Sequence, residues 1–131
     1  MERVDIRCEE DVVHARQRAR DLSQAAGFSL VDRTRIATAA SELARNVYRY
    51  AQSGFMEVEE VHDAQGRLGL RLIFIDAGPG IADVAQAMGD GYSTSGGMGI
   101  GLPGSRRLMD EFHLESAPGR GTRVEVCKWQ R

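Results

Sequence analysis

A chain of 131 residues, 42% hydrophobic and 27% charged, has the size and composition of one globular domain, able to bury a core without staples. Its formal net charge of −2 gives no electrostatic case for nucleic acid or anionic lipid as the main partner. Met1–Asp5 lacks the basic and apolar regions of a signal peptide, and no apolar run approaches the roughly 18 residues of a membrane span, so a cytoplasmic protein is expected. The two cysteines, Cys8 and Cys127, have no metal-like spacing and read as small buried strand residues in a reducing compartment.

Val4–Cys8 alternates apolar and charged residues, the pattern of a half-buried strand. Residues 11–26 read as an amphipathic helix stopped by Gly27, with Arg16, Arg18 and Arg20 on its solvated face. Ser29 or Asp32 can cap a second, longer helix that runs to about Gln52. Phe55–Val61 and Leu68–Ile75 read as strands joined at Ala64-Gln65-Gly66, and the second turns apolar at every position from Leu72. Residues 82–98 are Gly/Ser-rich and weakly periodic, a loop expected to be unordered without ligand. A helix is expected over 102–112 with Pro103 in its first turn, then strands over 113–116 and 122–126 around the turn Pro118-Gly119-Arg120-Gly121. These elements predict an α+β two-layer sandwich: a mixed, largely antiparallel sheet with helices on one face.

Three places carry chemistry. Taking about 100° per residue with Glu42 at zero, Asn46 falls near 40° and Arg49 near −20°, while Ile36, Ala39, Leu43, Val47 and Tyr50 spread from about 60° to 140°. A carboxylate, an amide and a guanidinium thus line the edge of the core stripe. Asp76 ends a buried strand, where an unpaired charge needs a partner, and Gly78 and Gly80 after it let backbone come close to a ligand. Gly96–Gly104 opens onto a helix, and free N–H groups there suit a phosphate. Gly99-Ile100-Gly101-Leu102-Pro103-Gly104 matches G-x-G-x-x-G, but no βαβ unit surrounds it, so a dinucleotide fold is excluded. No Walker A loop and no protein-kinase motif set occurs. His14, His62 and His113 have no metal spacing, and Trp129 reads as packing.

In order, Glu42-x-x-x-Asn46, Asp76-x-Gly78-x-Gly80, Gly97-x-Gly99-x-Gly101 and Gly119-x-Gly121-Thr122 resemble the N, G1 and G2 boxes and the trailing glycine-threonine element of the GHKL (Bergerat-fold) ATPase and kinase superfamily. The whole chain is similar to single-domain serine-protein kinases of the RsbT and RsbW type. The segments 90–94, 101–104 and 107–112 resemble the RsbT kind, the switch kinases of the stressosome.

The resemblance implies one kinase domain over residues 1–131 that binds ATP and Mg²⁺. Asp76 would accept from the adenine amino group, as an acceptor-only carboxylate can. Asn46 would give one oxygen to Mg²⁺, and Glu42 would be the catalytic base for the acceptor hydroxyl. Residues 82–98 would be the ATP lid. Gly78, Gly80, Ile81, Gly97, Met98, Gly99, Ile100, Gly101 and Leu102 would surround the nucleotide, with Arg49 and Arg106 adding phosphate charge. Thr122 would touch the adenine end or sit in the core as a strand threonine. The family further implies a STAS-domain protein as phosphoacceptor and a PP2C-type phosphatase as second partner, with neither nucleic acid nor membrane. An anti-sigma factor of the RsbW kind, a sensor kinase domain and a nucleotide binder without transferase activity are the rival readings.

Overall fold

The computed structural model describes residues 1–78 and 101–131. Five strands form one sheet: β1 (Glu2–Ile6), β2 (Gly54–His62), β3 (Leu68–Asp76), β4 (Glu111–Ser116) and β5 (Thr122–Trp129), in the spatial order β1-β2-β3-β5-β4. Among the described residues three helices accompany it: α1 (Glu9–Ala25), α2 (Leu30–Ala51) and α3 (Gly101–Leu108). The expected α+β sandwich is present, but the sheet is not mixed among the described residues, where every strand pairing is antiparallel.

The period of two decides which face is covered. Phe74 faces Met56 and Val124 across the sheet, and Leu72 faces Val58 and Val126. These residues share one buried cluster with Ile36, Leu43 and Val47 of α2. The alternate positions carry charge: Arg71 Nη1 bonds Glu59 Oε1 at 2.8 Å, and its Nε lies 3.8 Å from Glu125. Fully buried alanines on both helices, Ala15 and Ala19 on α1 with Ala39, Ala40 and Ala44 on α2, let the two approach closely.

The ends of α2 follow from local chemistry. Ser29 caps it by accepting the Asp32 N–H at 3.2 Å, and Gln52 closes it in a left-handed conformation with φ 66°. Tyr50, expected in the core stripe, is exposed in the last turn, and the buried stripe stops at Val47. The β2–β3 turn is organised by Asp63, whose carboxylate accepts from the backbone of Gln65 and Arg67.

Several boundaries differ from expectation: α1 begins at Glu9, β4 at Glu111, and β5 runs on to Trp129. β1 starts at Glu2 and ends at Ile6, so Cys8 is the half-buried residue preceding α1 rather than a strand residue. Cys127 is buried in β5, and burial pushes its thiol up to about 12. The third helix stops at Leu108 instead of 112. Asp110 donates its N–H to the carbonyl of Cys127 and accepts that of Trp129, so β5 captures the chain two residues after the helix. Lys128 Nζ then bonds the carbonyl of Leu108 at 2.9 Å, satisfying an orphan acceptor at the helix end.

Candidate functional site

Helix α2 brings Glu42 and Asn46 to the edge of its buried stripe, both half-buried, with Arg49 exposed one turn further on. Glu42 does not stand alone: its Oε1 receives a hydrogen bond from Arg45 Nη1 at 2.8 Å. That spacing of three is legible in the sequence as a helical neighbour pair. Arg45 is the partner of Glu42 that the motifs do not include.

Asp76 closes β3, with Gly54 of β2 and Thr122 of β5 as its register partners. A Cβ on Gly54 would stand 2.6 Å from Val47 Cγ1, so α2 sits directly over this end of the sheet. The turn after Asp76 touches the helix as well: a Cβ on Gly78 would fall 2.6 Å from Ala51 Cβ. The described contact at Gly78 is therefore with the protein's own helix, a second reason for glycine beside ligand approach. From the far side Gly121, at φ 76°, lies against the Asp76 carbonyl, where a side chain would collide. Helix, turn and β5 thus meet around one carboxylate.

Burial pushes the Asp76 carboxyl above the ordinary aspartate range, and the backbone N–H groups of Gly78 and Thr122 pull it partly back. The Gly78 N–H lies 2.9 Å from Oδ1. Thr122 is neither isolated nor core-buried. Ser116 Oγ bonds the Gly121 carbonyl at 2.9 Å and lies 2.8 Å from Thr122 Oγ1. Since Ser116 has one hydroxyl proton and gives it to Gly121, Thr122 donates to Ser116 and keeps acceptor capacity. Neither Gly54 nor Ser116 carries a motif, and only strand register reveals them.

Gly101 opens α3, which packs against α2. Leu102 packs on the core and Arg106 is exposed. Gly80, Ile81, Gly97, Met98, Gly99, Ile100 and the expected lid over 82–98 lie outside the described residues. Among the described residues no helix is long and apolar enough to cross a membrane.

The family model described as "Histidine kinase-, DNA gyrase B-, and HSP90-like ATPase" matches residues 31–131, a span that holds every element of this site. The chain belongs to this ATPase family. Within the family it joins the serine/threonine-protein kinases, being 52% identical over 128 residues to serine/threonine-protein kinase RsbT of Bacillus subtilis (strain 168). That alignment covers 98% of this chain and 96% of the relative. The anti-sigma F factor of Caldanaerobacter subterraneus subsp. tengcongensis is more distant, 31% identical over 97 residues, covering 72% of this chain and 68% of that protein.

Solved structures share the GHKL fold at low identity. The RsbU and RsbW domains of a Mycobacterium tuberculosis protein superpose with TM-score 0.66 at 16% identity, over 100% of this chain and 33% of that one. The mycobacterial sensor histidine kinase MprB superposes with TM-score 0.58 at 16% identity, over 99% and 97%.

Proposed function

We propose that this GHKL kinase phosphorylates a serine or threonine of a STAS-domain protein in a bacterial partner-switching pathway of the stress-response kind, acting in the cytoplasm, and that once released it activates a PP2C-type phosphatase. The observation that carries the nucleotide half of this reading is Asp76: a half-buried, desolvated carboxylate wedged between α2, the Gly78 turn and Gly121. A group held at such cost, ringed by backbone donors, suits an amino-group donor such as that of adenine. The near full-length likeness to an RsbT kinase supports the transferase half.

The donor set fits Mg-ATP. Asn46 offers a neutral hard oxygen, the type of ligand Mg²⁺ accepts alongside phosphate and water. Bound Mg-ATP would supply the phosphoryl group and neutralise its charge. In this reading Asp76 orients the base, with Thr122 Oγ1 as a neighbouring acceptor. Glu42 takes the proton of the attacking hydroxyl, and Gly78 and Gly101 border the nucleotide. Arg49 and Arg106 face the phosphates, and Gly80, Ile81, Gly97, Met98, Gly99, Ile100 and Leu102 complete the surround.

The test adds γ-labelled ATP and Mg²⁺ to the purified protein in an extract of its source, beside Asp76→Asn and Glu42→Gln. An acid-stable label on a small protein, lost in both variants, is the expected result. An acid-labile label would mean a histidine acceptor and sink the reading. The 31% likeness to an anti-sigma F factor favours a second outcome: ATP bound, no protein labelled, and a sigma factor retained.

A further inference from the structure

A groove beside Arg45 has no role in that reading. Glu9, Val12 and Val13 of α1 form one wall and Arg45, Tyr48 and Arg49 of α2 the other, around a space of about 360 Å³. This admits two or three side chains, at the small end of ligand clefts. Val12 is buried and forms the floor, whereas Val13 is 67% exposed, an aliphatic side chain held in solvent at the rim. The charge is asymmetric. The α2 wall has two guanidinium groups, the α1 wall the single carboxylate of Glu9. Arg45 also bonds Glu42, so the groove opens beside the carboxylate assigned to the acceptor's proton.

We propose that this groove seats the acceptor-bearing segment of the protein substrate, an acidic side chain of that segment meeting Arg45 and an aliphatic one meeting Val12 and Val13. The inference rests on the reading of Glu42 as base. Phosphoryl transfer depends chiefly on positioning, so a hydroxyl beside Glu42 needs its own segment fixed close by. On a chain of net charge −2, the Arg45 guanidinium next to an apolar floor selects a carboxylate, which arginine binds in forked geometry. A carboxylate docking on Arg45 also competes with Glu42 for the same guanidinium, and therefore loosens the Glu42 pair as the hydroxyl arrives. Docking and release of the base are one event.

The experiment uses the phosphoacceptor recovered by the labelling reaction above. It is titrated at saturating ATP against wild type, Val13→Asp, Arg45→Glu and Arg45→Lys, with ATP affinity measured separately by fluorescence. We expect KM for the acceptor to rise about tenfold or more in Val13→Asp and Arg45→Glu, and by less, about three- to tenfold, in Arg45→Lys, which keeps the charge and loses the fork. ATP affinity should hold within about twofold throughout. Val13 decides the question, because an exposed side chain can change without harm to the core. An unchanged KM in Val13→Asp overturns the proposal, as does a loss confined to kcat in Arg45→Glu, for Arg45 would then act only on Glu42. In both cases the kinase reading stands. A wild-type protein that binds ATP but labels no protein removes that reading and the groove's occupant together.

Discussion

Arg45 Nη1 stands 2.8 Å from Glu42 Oε1 across less than one turn of α2, pairing a largely covered carboxylate, 14% exposed, with a guanidinium that is 40% exposed. Glutamine at position 42 keeps an oxygen for Arg45 while losing the capacity to take a proton. Glu42→Gln should therefore slow phosphoryl transfer about 10²- to 10⁴-fold and leave ATP binding nearly unchanged. Single-turnover labelling beside an equilibrium nucleotide titration separates the two. Transfer at the wild-type rate would remove Glu42 from the role of base.

Asp76 gives a prediction with two signs. Burial raises its carboxyl pKa in the folded state, so its favourable contribution is complete below the ordinary aspartate range and is lost as pH rises through the raised value. At pH 7 the nucleotide-free protein thus carries the cost of a buried charge. Asparagine removes that charge, and its oxygen can still accept the Gly78 N–H. Asp76→Asn should melt higher than wild type at pH 7, and the gap should narrow as pH falls through the raised value toward the ordinary aspartate range. The same variant should bind ATP about 10- to 100-fold more weakly, the worth of one hydrogen bond to a charged group. Lower melting at pH 7 would contradict the burial argument.

The sequence revealed this site where chemistry is local and concealed it where it is not. Glu42, Asn46 and Asp76 announce themselves because helix period and strand end fix their positions, and the glycine spacings give the family. Arg45 was equally legible through its spacing from Glu42. Gly54, Ser116 and the contact of Gly121 on Asp76 were not, because they depend on the pairing of β3 with β2 and β5, which no local pattern encodes. The end of α3 was misjudged for a related reason. Helical propensity over 109–112 yields to hydrogen bonds between Asp110 and β5. Tyr50 followed the angular pattern of the core yet lies exposed.

Gly121 and Gly66 form a controlled pair. Both have positive φ, 76° and 82°, but a Cβ at Gly66 meets nothing within 4 Å, whereas at Gly121 it strikes the Asp76 backbone. Gly66→Ala should cost only the conformational penalty, about 1–2 kcal/mol by urea unfolding. Gly121→Ala adds displacement of the strand end, so about 3 kcal/mol or more is expected, together with weakened ATP binding. Equal costs would show that β5 shifts away from Asp76 freely.

The opposite end of β5 tests what anchors α3. Lys128 is 3% exposed, bonds the Leu108 carbonyl at 2.9 Å, and lies 3.8 Å from Asp32 and 3.6 Å from Asp110. Lys128→Met preserves the apolar stem and removes the charge. Among the described residues Asp32, itself buried, would keep the looser contacts of Arg35 at 3.5 Å and Arg131 at 3.9 Å. Breaking one partner of a buried pair is costly, so a loss of about 2–4 kcal/mol in urea unfolding is expected. Adding Asp32→Asn should recover part of it, since the uncompensated carboxylate is then gone. A single-variant cost under about 1 kcal/mol would instead mean that packing alone holds the end of α3, as buried ion pairs exchanged for apolar groups often allow.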